Sequence, residues 1–414
     1  MLLAFVGASV AAAPPTCLNQ GGSAVDWWLM WKAPSCVIPP IPGHQPLYLC
    51  GAGNASVANY TIGYHYLYAD ARSPSLALVH NNSLRCTKSD CDITSPFSRT
   101  MAQLFSAHVS SLAYNDQPQN KASVNDDIFA HAKGAIAFND DAGFWLMHSA
   151  PKTPSPEHAN WLDPTPYAQH FFCVTQSADS LGQSVARHLR MNNVYVDGST
   201  SAAVLSRHIT RYPELAGLLT QTHNHERAPI TPPYVGDYLQ QDLETLGGLP
   251  LVAVAKRGCN HALGKNWSCS SYEAIPNLFT DIMTRVLDGT LYAQTWCGGP
   301  WPSASQRCLP SSCPAAGQRG HHVYNVRNLR LSPELFWGTE VDHSKWVVST
   351  AATSTPWVCL GDINYADPQR KRGGGFVCFK DSSLHDVVES MVEMADPCDA
   401  PGGGARARRE MRVA

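Results

Sequence analysis

The sequence predicts an α/β protein with a large buried core, and three observations carry that expectation. Helix-like and strand-like patterns intermingle along the chain instead of segregating. Apolar residues fill 44% of the 414 positions, enough for a well-buried core in one large or two medium domains. Charged residues are only 15%, which argues against a long coiled coil or an extended disordered chain.

The first element, residues 1–13, is apolar and ends in small residues. It is too short to span a bilayer and reads as a secretory signal peptide. Pro14 disfavours a cut after Ala13, so a cut after Ala12 is the better expectation. No Lys or Arg precedes the apolar core, which points to a shortened start. No later stretch holds eighteen uninterrupted apolar residues, so the mature chain is expected to be soluble, with no membrane association.

Strand-like runs come next. Trp27, Leu29 and Trp31 alternate within residues 25–32, and Tyr64, Tyr66 and Tyr68 within 63–70. Alternating large aromatics predict strands with one buried face. The functional alternative is a platform on which bases stack. Helices are expected over 97–113, over 179–189 with Ser177 or Asp179 as cap, over 272–287 with Ser270 or Ser271 as cap, and over 384–394. Further strand runs fall at 194–197, 251–255 and 324–327. Residues 200–249 are the variable middle. Within them His223-Asn-His225-Glu226 alternates two histidines as a zinc site would, but has no third ligand at a useful spacing, and reads as an exposed polar loop. Residues 296–314 read as a stapled loop, and 399–414 as a disordered, arginine-bearing tail.

Fourteen cysteines behind a signal peptide imply disulfides rather than zinc, because the closely spaced pairs of a zinc ribbon are missing. Cys36/Cys50, Cys86/Cys91 and Cys308/Cys313 could close local loops. Sequons at Asn54, Asn59, Asn81 and Asn266 fit a secreted glycoprotein. A formal charge of -3 gives no standing attraction to a polyanion at neutral pH. Protonating all 17 histidines would carry it from -3 to +14, so acid could switch nucleic-acid binding on.

Residues 128–151 carry the chemistry. Two apolar runs flank Asn139-Asp-Asp-Ala142, a hairpin signal. His131 and Lys133 lie two apart and share one face of a strand, and His148 closes the second run. About two hundred residues later the pattern recurs as His343-Ser-Lys345, followed by Trp357-Val-Cys-Leu and Gly361-Asp362-Ile363-Asn364. Lysine is a poor metal ligand but a point charge suited to phosphate oxygens. Histidine beside it can attack phosphorus or move a proton. One such pair fits equally a half-buried strand histidine beside a solvated lysine. Two copies, each followed by a second run ending in polar residues, point to one phosphodiester site.

These stretches resemble the deoxyribonuclease II family, within the phospholipase D superfamily. The matching segments are Val25-Asp-Trp-Trp, Tyr66-Leu-Tyr-Ala-Asp70, Tyr114-Asn-Asp-Gln-Pro118, His131-Ala-Lys-Gly134 and Gly143-Phe-Trp-Leu-Met-His-Ser149. They continue with Phe172-Cys-Val-Thr175, Asp342-His-Ser-Lys-Trp346, Trp357 to Asn364, and Arg372-Gly-Gly-Gly375. They keep the family's order from about residue 17 to Cys398. Neither half has the superfamily's full pattern of His-x-Lys, an acidic residue, then Gly-Ser-x-Asn.

The resemblance implies two phospholipase D-like lobes, mixed sheets flanked by helices, at 17–200 and 201–398, forming a single-chain pseudodimer with the site at its seam. It implies an endonuclease acting on DNA in acid without metal or other cofactor, through a phosphohistidine, leaving 3'-phosphate ends. His131 would attack and His343 would protonate the leaving oxygen, or the two would exchange roles. Lys133 and Lys345 would hold phosphate oxygens, and His148, Asp362 and Asn364 would support the histidines or touch phosphate. It makes Cys17 and Cys173 a plausible pair, a lysosomal or secreted destination the expectation, and no protein partner obligatory. The rivals are a phospholipase D-like phosphodiesterase on a substrate other than DNA, and a secreted nucleic-acid-binding protein without activity.

Overall fold

A computed structural model of the chain describes residues 13–34, 66–79, 86–87, 90–91, 95–106, 108–118, 129–151, 167–196, 202–223, 238–258, 275–296, 308–312, 320–331 and 336–397. The four sequons, residues 1–12, 224–226, Ser270, Ser271, Cys36, Cys50, Cys313 and 398–414 lie outside these, as does most of the expected loop 296–314.

Mixed strand and helix patterns resolve into two large sheets. The strands of the first are β1 (Trp27–Lys32), β2 (Tyr66–Asp70), β3 (Ser73–Val79), β4 (Ser110–Asn115), β5 (Lys133–Phe138), β6 (Ala142–His148), β7 (Gln169–Ser177) and β8 (Ala202–Ala203). Their spatial order is β8-β4-β5-β6-β7-β1-β2-β3, with antiparallel neighbours throughout. The Asn139 turn closes the β5–β6 hairpin as its chemistry predicts. Asn139 Oδ1 accepts the N–H groups of Asp141 at 3.0 Å and Ala142 at 3.1 Å.

The second sheet holds β9 (Tyr238–Glu244), β10 (Pro250–Lys256), β11 (Leu291–Gln294), β12 (Val323–Arg330), β13 (Phe336–Gly338), β14 (Trp346–Ser349), β15 (Trp357–Gly361), β16 (Gly374–Lys380) and β17 (Val392–Ala395). Its order is β9-β10-β16-β15-β14-β11-β12-β13, with β17 also on β12. Only the β11–β12 pair is parallel among the described strands. In each sheet a His-x-Lys pair leads directly into the first of three consecutive antiparallel neighbours, β5-β6-β7 in one and β14-β15-β16 in the other.

The sheets bury their facing surfaces in one apolar cluster. Trp27, Leu29 and Trp31 on β1 meet Trp346, Leu360, Val377 and Phe379 from the second sheet. Trp27 lies 5.4 Å from Phe379, and Trp31 meets Trp346 edge-on at 5.2 Å. The alternating tryptophans are therefore core, since none is more than 4% exposed, and no base-stacking platform forms there. The opposite face of β1, Trp28 and Met30, packs with Phe97 and Met101 of helix α1 (Pro96–Ala102).

Three expected helices are shorter than their sequence pattern. The helix over 97–113 stops after α1 and one 3₁₀ turn at Gln103–Phe105, because residues 110–115 pair with β5. Ser111 Oγ donates to the Leu104 carbonyl at 2.7 Å and helps close off the helix end. The helix expected over 272–287 starts instead at Leu278, where the Asn277 side chain accepts from the N–H of Phe279 at 2.9 Å. The last helix, Ser382–Ser390, capped by Asp381, gives way at Val392 to β17. By contrast the helical run over residues 180–192, α2 in its final part (Ala186–Asn192), forms as expected, with Ser177 Oγ accepting from the Ser180 N–H. Residues 200–249 hold more structure than their reading as a variable segment: α3 (Ser206–Arg211), α4 (Pro213–His223) and β9. β8 pairs with β4, and α4 packs on α2.

Cys17 and Cys173 form a disulfide. Cys359 and Cys378, directly opposed on β15 and β16, form another, which the sequence reading did not pair. Cys86 and Cys91 face each other across a short two-stranded ladder.

Candidate active site

The two His-x-Lys pairs meet at the seam between the sheets. His131 and Lys133 enter β5, and His343 and Lys345 lead into β14. Both lysines are 3% exposed, while both histidines are half-buried as residues, with the His343 Nε2 itself buried. The lysines therefore form a cationic floor and the histidines a rim.

Each pair is held by backbone from the opposite sheet. The His131 N–H donates to the Gly373 carbonyl at 3.0 Å, just before β16. The His343 N–H donates to the Ala168 carbonyl at 2.9 Å, just before β7. Lys345 N–H donates to His170 Nδ1 at 3.1 Å, and the Asp362 carboxylate takes the backbone N–H of Lys133. Two other buried lysines pin the loops that bring these groups in. Lys32 Nζ, at the end of β1, donates to the Tyr167 carbonyl at 2.7 Å. Lys256 Nζ, at the end of β10, donates to the Arg370 and Arg372 carbonyls, each at 2.7 Å. Gly373 has to be glycine, because a Cβ there would collide with the Asn192 carbonyl at the end of α2.

Asp116 ties the floor together. It follows β4, and its carboxylate bridges Lys133 and Arg372, the latter at 2.8 Å. Arg372 Nη2 also donates to the Ala130 carbonyl at 3.1 Å. Burial alone would raise the Asp116 carboxyl, but Lys133, His131 and Arg372 hold it well below the usual carboxylate range.

Charge is tuned at the other groups too. Burial lowers Lys345 to about 7, with the Lys133 charge helping. Burial raises Asp362 to about 8, against the pull of Lys133 and Lys345. Burial, then the Lys133 charge, pushes His131 down; burial, then Lys345 and Lys133, pushes His343 down. A phosphate anion among these groups would reverse much of that depression.

The sequence-predicted residues do not all share one position. His131, Lys133, His343 and Lys345 converge. His148, at the end of β6, is 3% exposed and flanked by Phe97 and Phe171 at 6.1 and 5.9 Å; burial holds it neutral, at about 3. It backs the floor near Lys133 and Asp116. Asp362 contacts the Lys133 backbone, and the group that meets an imidazole nitrogen is Gln369, 2.8 Å from His131 Nδ1. Asn364 lines a small cavity with Gln369, Lys256, Asn277 and Arg370, its buried Oδ1 without a partner among the described residues. His343 lies between Tyr167 and Trp296, with ring centroids at 4.2 and 4.5 Å.

Among the described residues no cluster of three or more His, Cys, Asp or Glu is placed to hold a metal ion, and the converging cations are lysine and arginine. No helix among them is long and apolar enough to cross a membrane.

The family model for deoxyribonuclease II matches residues 16–398, nearly the whole chain. The chain belongs to the deoxyribonuclease II family. It is similar to Plancitoxin-1 of Acanthaster planci, 28% identical over 95% of this chain and 94% of that one. It is similar to Deoxyribonuclease-2-beta of Mus musculus, 27% identical over 94% and 95%. A Putative deoxyribonuclease-2 of Burkholderia pseudomallei is 28% identical over 72% of this chain and 75% of its own. Membership in the deoxyribonuclease II family makes the chain a nuclease of that type, a hydrolase with DNA as substrate.

Asp116, His170, Tyr167, Trp296, Gln369 and Arg372 had no assigned role from sequence. Asp116 and Arg372 lie in segments that carried the family resemblance. Their signal was an isolated acid after an apolar strand and the last of three consecutive bases before a glycine run. Gln369 had no such signal.

Proposed function

We propose that this deoxyribonuclease II-type enzyme is an acid endonuclease that cleaves DNA phosphodiesters without a metal ion, through a phosphohistidine. The observation that carries the reading is the convergence of two His-x-Lys pairs, one from each sheet, on one site. A ring nitrogen of His131 bonds to phosphorus as the P–O5' bond breaks. The electron pair leaves on O5', and His343 gives that oxygen a proton. Water then bonds to phosphorus, the P–N bond breaks with its pair returning to His131, and His343 takes the proton from water. One water is consumed, both histidines are regenerated, and the ends are 3'-phosphate and 5'-hydroxyl. Lys133 and Lys345 hold the nonbridging oxygens and stabilise the charge that builds on them.

Acid suits this floor. Lys345 at about 7 and Asp362 at about 8 titrate as a pair, with both groups protonated in mild acid. The ammonium is then charged and the carboxyl neutral, which favours a phosphate. Raising the pH removes two protons and turns the floor against it.

The two sheets, with their matching β5-β6-β7 and β14-β15-β16 runs, support a single-chain pseudodimer of phospholipase D-like lobes whose boundary follows α4. The disulfides fit a secreted or lysosomal glycoprotein made with a signal peptide. Plasmid nicking across pH, with and without excess EDTA, tests the whole reading. Cleavage in EDTA that peaks in acid is expected. Activity abolished by chelator and restored by magnesium or zinc refutes it, and phosphatidylcholine hydrolysis without plasmid nicking refutes the choice of DNA.

A further inference from the structure

The loop from 367 to 373 belongs to the second half of the chain, yet it holds the histidine of the first. Gln369 Oε1 lies 2.8 Å from His131 Nδ1, and the Gly373 carbonyl takes the His131 N–H. The loop is fixed at several points. Lys256 Nζ donates to two of its carbonyls, and Arg372 reaches back to Asp116 and Ala130. Arg370 Nη2 donates to the Ile275 carbonyl at 2.7 Å. A side chain on such a strap is preorganised.

An amide oxygen can only accept, so a His131 bonded to it carries its proton on Nδ1. Nε2 then keeps its lone pair. The His343 ring sits differently. Tyr167 stacks on it, Trp296 packs beside it, and its buried Nε2 has no partner among the described residues, so nothing there fixes its tautomer as Gln369 fixes that of His131.

We infer that Gln369 is a positioning residue that holds His131 in its Nδ1–H tautomer and so makes His131 Nε2, and not His343, the atom that attacks phosphorus. The inference rests on the phosphohistidine reading above. It also explains the choice of an amide. A carboxylate at this distance would favour the imidazolium by about 1–3 pH units. In acid that would hold the nucleophile protonated and inert. A neutral acceptor orients the ring without charging it.

The test combines a spectrum with kinetics on the full-length protein. Long-range proton–nitrogen correlation of protein labelled with ¹⁵N-histidine reads each tautomer, and His131 is identified by its loss in His131→Ala. Wild type should show Nδ1–H at His131, and Gln369→Leu should lose that preference while the other histidine signals stay in place. Gln369→Leu should lower kcat by about 10–100-fold with KM within about twofold, as misorientation of an attacking group does. Gln369→Glu should restore orientation and move the acid limb of the kcat/KM profile up by about one pH unit or more. An Nε2–H signal at His131 in wild type overturns the inference. So does a Gln369→Leu enzyme with unchanged kcat and pH profile. A His131→Ala variant that still cleaves at the wild-type rate overturns the phosphohistidine reading and the nucleophile assignment with it; the tautomer signal separates that failure from one of Gln369 alone.

Discussion

Replacing Asp116 with asparagine would keep its shape and remove a negative charge that Lys133 and Arg372 share. The side chains of Asp116, Lys133 and Arg372 are 3%, 3% and 7% exposed. The amide therefore leaves two cations in a place water barely reaches. Breaking a buried pair by deleting one partner costs about 3–5 kcal/mol, because the stranded charge keeps its desolvation penalty. Lys133 loses its carboxylate partner, so Asp116→Asn should cost an amount within that range. Arg372→Met strands less, since Asp116 keeps Lys133. It loses guanidinium bonds to the Phe129 and Ala130 carbonyls and should cost about 2–3 kcal/mol. The double variant strands only Lys133, so its loss should fall below the sum of the singles by about 1–3 kcal/mol.

Urea unfolding followed by tryptophan fluorescence, with disulfides intact, measures all four proteins. The midpoints should shift at constant m. The pH dependence has a fixed sign. Asp116 is held below its unfolded value of about 3.9, so its contribution is present above that pH and is lost only as pH falls through the folded value. The Asp116→Asn deficit should therefore be alike at about pH 5 and about pH 7. Singles of equal cost, or losses that add within about 0.5 kcal/mol, would show that Asp116 does not couple the two halves.

Other outcomes follow from the site. His131→Ala and His343→Ala should each slow acid cleavage by at least about 10²–10⁴-fold, and the double variant should be little worse than the poorer single, since the two act as a unit; losses that multiply would mean separate sites. DNA binding should survive in these variants, and His225→Ala should cleave normally. Asp362→Asn removes the group held at about 8 and, with it, one of the charges that raise Lys345, so the alkaline fall in kcat/KM should move to lower pH; an unmoved limb separates Asp362 from acid dependence. His188, buried beneath Trp145, is pushed by burial to about 3. Below about pH 6.5 the unfolded chain binds a proton there that the fold does not, so stability falls as pH drops toward 3, by about 2 kcal/mol at about pH 5. His188→Gln should flatten the fall in urea midpoint between neutral and acid pH by that amount, and an unchanged fall refutes the assignment. A nonreducing peptide map should link Cys359 to Cys378, and a free thiol at either would contradict the fold.

Local chemistry was legible wherever one segment determined it. The Asn139 turn, the alternating tryptophans of β1 and the Ser177 cap all read correctly because their partners lie within a few residues or on a face of period two. Where tertiary pairing overruled local pattern, the reading overshot. Val109 and Leu112 keep helical apolar spacing, but residues 110–115 pair with β5 as strand, and 392–394 leave the last helix to pair with β12. Pro276 had marked the late start of the 278 helix, since the residue before a proline avoids the helical region.

The support around the histidines was illegible for a different reason: it crosses between halves. The sequence showed two similar pairs but not which half would support each. The fold crosses them. Ala168, just before β7, holds His343, and Gly373, just before β16, holds His131, so equivalent positions serve the other half's histidine. Lys32 and Lys256 repeat the rule at the ends of β1 and β10, each pinning the loop that makes the crossing. The contacting residues lie 175 and 242 positions apart, from His343 − Ala168 and Gly373 − His131, and most are carbonyls, which any residue type supplies. No side-chain motif can record such a bond. Its one visible trace is steric: Gly373, where the chain passes too close to Asn192 for any Cβ. This crossing has a mechanical consequence. Neither half can orient its own imidazole until the two sheets have docked, so a variant that loosens the Trp27–Phe379 or Trp31–Trp346 contact should lose kcat before it loses either sheet.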